Sequence, residues 1–202
     1  VEAFNASIRT GDGDYTSEHF LKIAQKTLDQ DVPWQSARRL WFGRLKRIAH
    51  WFVETEKERS TLGALIGQEI TGVRHAEGMD FKLTAKADRL DRDENGDLIL
   101  YDYKSGDPPG KNEIHLFDKQ LQLEATIAEV GGFENIAPMK VSKLEYIGLK
   151  GPDKIRPVSV TDTLVQDTWD ELLVLLRCHF ENGIGYGARL KMQKDIYGSD
   201  YD

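Results

Sequence analysis

The chain has 202 residues, of which 40% are hydrophobic and 30% charged, a composition typical of a globular protein rather than a disordered one. With 27 basic and 34 acidic side chains the formal net charge is −7, which by itself argues against a nucleic-acid-binding protein. The single cysteine, Cys178, excludes a disulfide framework and a four-cysteine zinc or iron–sulfur site. No apolar run is long enough to span a membrane and no signal segment opens the chain, so we expect a cytoplasmic protein.

The first part of the chain, residues 1–61, is predicted to be helical. Thr16 or Ser17 is expected to cap a helix that runs to about Gln30, and Pro33 to open a longer one. The longer helix carries apolar residues at steps of three and four, which predicts one apolar stripe: Trp34, Ala37, Trp41, Leu45, Ile48 and Phe52. Its basic residues fall mostly off that stripe: Arg38, Arg39, Lys46 and Arg47. They fit either a solvated face or a phosphate-contacting ridge, and the sequence alone does not choose.

The middle part, residues 62–160, has the pattern of a sheet. Strands are predicted over residues 64–74 and 79–92, over Leu98–Lys104, and near residues 141–149 and 155–160, with a helix from about Asp118 to Val130. An Asn-Gly turn joins the second strand to the third. In the last part, residues 161–202, Thr161 is expected to cap a helix, and a glycine-rich tail follows Asn182. With no linker in sight, we predict a single α/β domain over residues 1–202, with a mixed sheet flanked by helices.

Polar side chains stand at the end of the most apolar strand. Asp102 and Lys104 are two residues apart and therefore share one face of it. A turn centred on Asn95-Gly96 would pair Asp88 roughly with Tyr103, so that Asp88 lies close to both. Carboxylates that converge without cysteine or histidine suit Mg²⁺ or Mn²⁺, and a lysine beside the metal suits phosphate chemistry. The alternative is a set of ordinary surface ion pairs.

These segments resemble a known family. Ala87–Asp91, the turn, Asp102–Gly106 and then Gln120 are similar to the nuclease domain of the RecB/AddB group, within the PD-(D/E)xK, restriction-endonuclease-like superfamily. Lys119–Glu124 followed by Gly131–Glu134 resembles the C-terminal nuclease domain of AddB subunits of the alphaproteobacterial type.

The resemblance implies roles for the matching residues. Asp88, Asp102 and the carbonyl oxygen of Tyr103 would bind Mg²⁺ or Mn²⁺, Lys104 would act on the water or the phosphate, and Gln120 would support the site. Gln120 belongs to a Gln-x-x-x-Tyr motif, of which only half is present because Glu124 stands at the tyrosine position. The family's metal-binding histidine would lie just upstream of Val1, so the chain is expected to be a fragment with impaired activity. The cysteine quartet of some relatives is missing, so no iron–sulfur cluster is expected.

The resemblance also implies a function. The parent would be a helicase–nuclease that processes double-strand breaks for recombinational repair, with this domain acting as an Mg²⁺-dependent exonuclease on a single strand from unwound DNA. Its partner would be an AddA-type helicase–nuclease subunit. Four further residues are candidates for contacting DNA or supporting the site: Glu69, Glu124, Arg39 and Lys46. The alternative is a non-catalytic DNA-binding or docking module that keeps the nuclease scaffold.

Overall fold

The fold is described from a computed structural model over residues 1–180. In chain order its elements are α1 (Glu2–Thr10), α2 (Ser17–Asp31), α3 (Gln35–Leu62), β1 (Gly63–His75), β2 (Lys82–Asp93), β3 (Leu98–Lys104), α4 (Lys111–Leu116), α5 (Gln120–Glu129), β4 (Val141–Gly148), β5 (Ile155–Val158) and α6 (Leu164–Phe180). A 3₁₀ turn at Pro152–Lys154 precedes β5. The predicted glycine-rich tail lies outside the described residues. Within them, no helix combines the length and apolar character needed to cross a bilayer.

The five strands form one mixed sheet in the order β1-β2-β3-β4-β5. Only β3 and β4 run parallel, and α5 lies in the connection between them, as a parallel pair requires. Leu98 and Leu100 face the core that contains α5, whereas Ile99 and Tyr101 form a second cluster with Trp51 of α3. The predicted α/β fold, with a mixed sheet flanked by helices, is therefore confirmed.

The long helix α3 is buried over only part of its length. Ile48 and Phe52 are buried, and Phe52 packs with Phe4 of α1 and Phe20 of α2, but Trp34 is 71% exposed and Trp41 is only partly buried. The apolar stripe is therefore only partly buried at Ala37, Trp41 and Leu45, is buried at Ile48 and Phe52, and does not include Trp34, which precedes the helix. A helix of 28 residues is about 42 Å long, and the layer beneath α3 does not extend under all of it.

The turn between β2 and β3 differs from the prediction by one residue. A two-residue Asn-Gly turn of type I′ needs positive φ at both positions, but Gly96 alone has it, with φ of 87°. The carboxylate of Asp93 instead accepts hydrogen bonds from the backbone amides of Asn95 and Asp97, each at 2.9 Å, and these bonds close a longer loop. Arg89 consequently pairs with Tyr101. Continued by one step, this register places Asp88 opposite Asp102 rather than Tyr103.

Candidate active site

The two predicted acidic residues and the lysine meet at one edge of the sheet. Asp88 lies in β2, and Asp102 and Lys104 lie among the last three residues of β3. Lys104 Nζ lies 2.9 Å from Asp102 Oδ2 and 3.2 Å from Asp102 Oδ1. Asp102 is 3% exposed, so its carboxylate sits at the inner end of the site while the ammonium group reaches the surface. The alternation of side chains along β3 puts both groups on the face that α5 covers.

Gln120, the first residue of α5, joins these groups into one cluster. Its amide nitrogen donates to Asp102 Oδ1 at 2.6 Å, and its amide oxygen accepts from Lys104 Nζ at 2.7 Å. The same nitrogen lies 3.0 Å from Glu124 Oε1, one helical turn further along. The glutamine therefore fixes the orientation of the acid and the lysine together, and Glu124 fixes the glutamine.

Tyr103 connects the site to the opposite face of the sheet. Its backbone amide donates to Asp88 Oδ2 at 2.8 Å and so holds that carboxylate in place. Its side chain points the other way, and its hydroxyl donates to Glu56 Oε1 on α3 at 2.9 Å. The residue that positions Asp88 is therefore itself anchored to the long helix.

Beneath the site, on the α3 face, lies a buried ionic network. Arg89 donates through Nε and Nη2 to the two oxygens of Asp91, at 2.8 and 2.7 Å, and also pairs with Glu56. Glu56 in turn accepts from Arg59 at 2.7 Å. Burial alone would lower the pKa of Arg89, but its acidic neighbours outweigh that effect and raise it. This network was not foreseen. The sequence signal was the Arg-x-Asp spacing, which puts both charges on one face of a core strand.

The carboxyl groups of the site share an excess of negative charge. Burial raises the pKa of Asp102, opposed by Lys104. Burial also raises the pKa of Asp88, and the charge of Asp102 adds to the effect. Glu124 is the most affected, since burial raises its pKa to about 8. The carboxylates of Asp88 and Asp102 with the one ammonium group of Lys104 are an arrangement that a further cation would stabilise.

Glu69 lies beside this cluster, on the strand next to the one that carries Asp88. The pairs Gln68–Arg89 and Ile70–Ala87 flank it, so its backbone is level with Asp88 on the neighbouring strand. Its φ of 53° is in the left-handed region, which is unusual for a non-glycine residue in a strand. The side chain forms an ion pair with Lys86 at 2.6 Å. Glu69 therefore lies next to the site, but its carboxylate is paired with Lys86 at the protein surface.

The oxygen atoms of the cluster include ligands suited to a divalent metal ion. Asp102 Oδ2 is buried and accepts no hydrogen bond, although Lys104 Nζ is near, so one ligand oxygen is available. Carboxylate and carbonyl oxygens are the ligands that Mg²⁺ and Mn²⁺ prefer. Within residues 1–180 there is no group of three or more His, Cys, Asp or Glu side chains placed to hold a metal ion. Asp88 and Asp102 therefore fit as two ligands of a site that needs other oxygens. The carbonyl of Tyr103 stays a prediction.

The remaining candidates do not join the cluster. Arg39 and Lys46 are exposed on the first half of α3 and contribute no contact to Asp88 or Asp102. Whether they contact DNA stays a prediction.

Comparison with known proteins identifies the family to which the chain belongs. The model of the PD-(D/E)XK nuclease superfamily matches residues 6–190. The chain therefore belongs to the PD-(D/E)XK nuclease superfamily, whose members are typically metal-dependent nucleases that use Mg²⁺ or Mn²⁺. A search of curated proteins finds no match. Among solved structures, the one titled "Crystal structure of SSO0001" is 23% identical, with a TM-score of 0.33, and the match covers 79% of this chain and 68% of that one.

Proposed function

We propose that this chain is an Mg²⁺- or Mn²⁺-dependent deoxyribonuclease domain of the AddB type, acting as an exonuclease in a helicase–nuclease that processes double-strand breaks. The observation that carries the nuclease part is the cluster of Asp88, Asp102, Lys104 and Gln120 at one sheet edge. The AddB-type origin, the AddA-type partner and the role in recombinational repair are supported by the sequence resemblance.

Each residue has a distinct task in phosphodiester hydrolysis. Asp88 and Asp102 would hold the metal ion, which when bound would neutralise charge on the phosphate and assist departure of the leaving oxygen. Lys104 Nζ, directed by the amide oxygen of Gln120, would orient the attacking water or stabilise negative charge on the phosphate. The hydrogen bonds from Gln120 and from the Tyr103 amide keep the two carboxylates in position before substrate arrives.

The test is cleavage of single-stranded DNA with Mg²⁺ or Mn²⁺. Because the resemblance implies a metal-binding histidine upstream of Val1, the assay uses the chain together with any residues that precede Val1 in its gene. Asp102→Asn should lower the cleavage rate on the order of 100-fold or more, as does loss of a charge-stabilising group in other enzymes. Asp162→Asn is the control, since that carboxylate is 94% exposed in a surface ion pair. Full activity of both Asp102→Asn and Lys104→Ala would show that the assigned site is wrong.

A second candidate function is a DNA-binding or docking module without catalysis. It is favoured by the lack of a third metal-ligating side chain within residues 1–180 and by Glu124 at the position of the motif's tyrosine. Titration with Mn²⁺ separates the two functions. Saturable binding that Asp102→Asn weakens supports the nuclease, whereas no binding by the same protein favours the module.

A further inference from the structure

A groove near the active site is lined by basic and aromatic side chains that have no part in the proposed catalytic mechanism. It has a volume of about 350 Å³. One wall is α3, with Trp41, Arg44 and Arg47, and the other is formed where β3 and β4 end, with Ser105, Leu149 and Lys150. Trp41, Arg44 and Ile48 are spaced at three and four residues or multiples of them, so they share the helix face that borders the groove.

The groove adjoins the catalytic edge of the sheet directly. Ser105 is the residue after Lys104, and the amide of Leu149 donates to the carbonyl oxygen of Lys104 at 2.8 Å. The floor of the groove is therefore continuous with the strand that carries Asp102 and Lys104. Asp102 and Lys104 project to the α5 face, so a chain bound along the groove on the α3 face would reach them by passing around the end of β3.

The charge of the helical wall is opposite to that of the whole protein. Residues 35–53 contain 5 basic side chains and no acidic one, in a chain of net charge −7. Arg44 and Arg47 are exposed and form no ion pair within residues 1–180. On the other wall, Lys150 is paired with Asp107 at 2.6 Å, so the free positive charge of the groove comes from the helix.

An aromatic ring is combined with this charge. Trp41 is only partly buried, and the guanidinium carbon of Arg44 lies 4.9 Å from the centre of its ring. Single-stranded nucleic acids bind to such surfaces because cations contact the phosphates while unstacked bases stack on aromatic rings. A duplex keeps its bases stacked internally and would leave the ring unused.

We propose that this groove binds single-stranded DNA and leads it to the catalytic edge, with Arg44 and Arg47 on the phosphates and a base on Trp41. The proposal rests on the proposed nuclease function, because it takes DNA to be the substrate. An acidic chain can bind DNA locally at this groove because salt screens exposed charges that lie more than about 8–10 Å away.

The experiment measures binding of a fluorescein-labelled 20-mer of deoxythymidine by anisotropy, in EDTA, at salt concentrations from 50 to 200 mM. Arg44→Ala/Arg47→Ala should weaken binding on the order of tenfold at low salt and reduce the salt slope by about 1.4, since each phosphate contact in a single strand contributes roughly 0.7. Trp41→Ala should weaken binding by about 5- to 160-fold, as expected for loss of one stacked base.

The control is Lys22→Ala/Lys26→Ala, which removes the same charge from exposed positions of α2. It should bind like the unaltered chain, and circular dichroism verifies that all variants are folded. Equal affinity and salt slope in the arginine and lysine variants would overturn the proposal. The proposal would also be overturned if a 20-base-pair duplex bound as tightly as the single strand and lost as much affinity when the two arginines were replaced.

Failure of the nuclease assignment gives a different result. Asp102→Asn should bind the 20-mer normally and fail only to cleave it. If the unaltered chain binds the 20-mer through Arg44 and Arg47 but does not cleave DNA with either Mg²⁺ or Mn²⁺, the groove proposal is supported and the catalytic proposal is refuted. If cleavage occurs while the arginine variant binds normally, the groove is wrong and the catalytic proposal stands.

Discussion

Replacing Arg89 by leucine tests how much the buried ionic network contributes to stability. The Arg89 and Asp91 side chains are 4% and 0% exposed, and that of Glu56 is 1% exposed. Leucine leaves the two acids without their shared cation in a place that water does not reach. Removing one partner of a buried ion pair typically lowers the free energy of unfolding by about 3–5 kcal/mol. For a protein of this size that loss corresponds to a fall of roughly 6–20 °C in Tm.

The assay is urea unfolding followed by the fluorescence of the chain's 4 tryptophans. Lys140→Ala is the matched control, because its ion pair with Asp162 is exposed at both ends, and it should change stability by no more than about 1 kcal/mol. Arg89→Lys keeps the charge but loses the two-pronged contact with Asp91, so we expect a smaller loss than for leucine. A loss below about 1 kcal/mol for Arg89→Leu would refute the reasoning that these charges depend on one another.

Two further predictions concern the sheet and the site. An added Cβ at Gly132 would lie 2.3 Å from the Val73 carbonyl oxygen, so Gly132→Ala should lower the free energy of unfolding by about 1–3 kcal/mol in the same assay. Gly43→Ala, with no atom within 4 Å of its Cβ, should instead raise it by up to about 1 kcal/mol, and equal effects would contradict the packing argument. Because the pKa of Glu124 is raised to about 8, the folded state keeps a proton that the unfolded state releases, and stability falls as pH rises from about 4.5 to 8. Glu124→Gln should flatten that fall when unfolding is measured in EDTA at several pH values, and an unchanged slope would refute it.

The candidate active-site cluster and the buried network are connected through one residue. The Tyr103 amide holds Asp88 on one face of the sheet while its hydroxyl donates to Glu56 on the other. One strand residue can do both because its backbone amide is directed toward the neighbouring strand, within the sheet, while its side chain projects from one face. The long helix therefore has two roles in this arrangement: its second half fixes the strand that carries the site, and its first half presents the basic wall of the groove.

Much of the site could be predicted from the sequence because its signals are local. The spacing of Asp102 and Lys104 on an apolar strand fixed their shared face, and Gln120 followed from the family motif. The predicted strands and long helices were found near their expected limits, but α4 was missed because six residues after a glycine-proline loop give little periodic signal.

What the sequence by itself determined is the chemistry available at this site: two carboxylates, a lysine and an amide, carried by strands and a helix whose patterns can be read within a few residues. What only the tertiary structure decided depends on contacts between distant segments. The hydrogen bonds of Asp93 set the hairpin register and placed Asp88 opposite Asp102. The packing of α3 brought Glu56 to Arg89, 33 positions away, and left Trp41 and its arginines facing the ends of β3 and β4. Burial, and with it the raised pKa of Glu124, is a property of that packing and of no single segment.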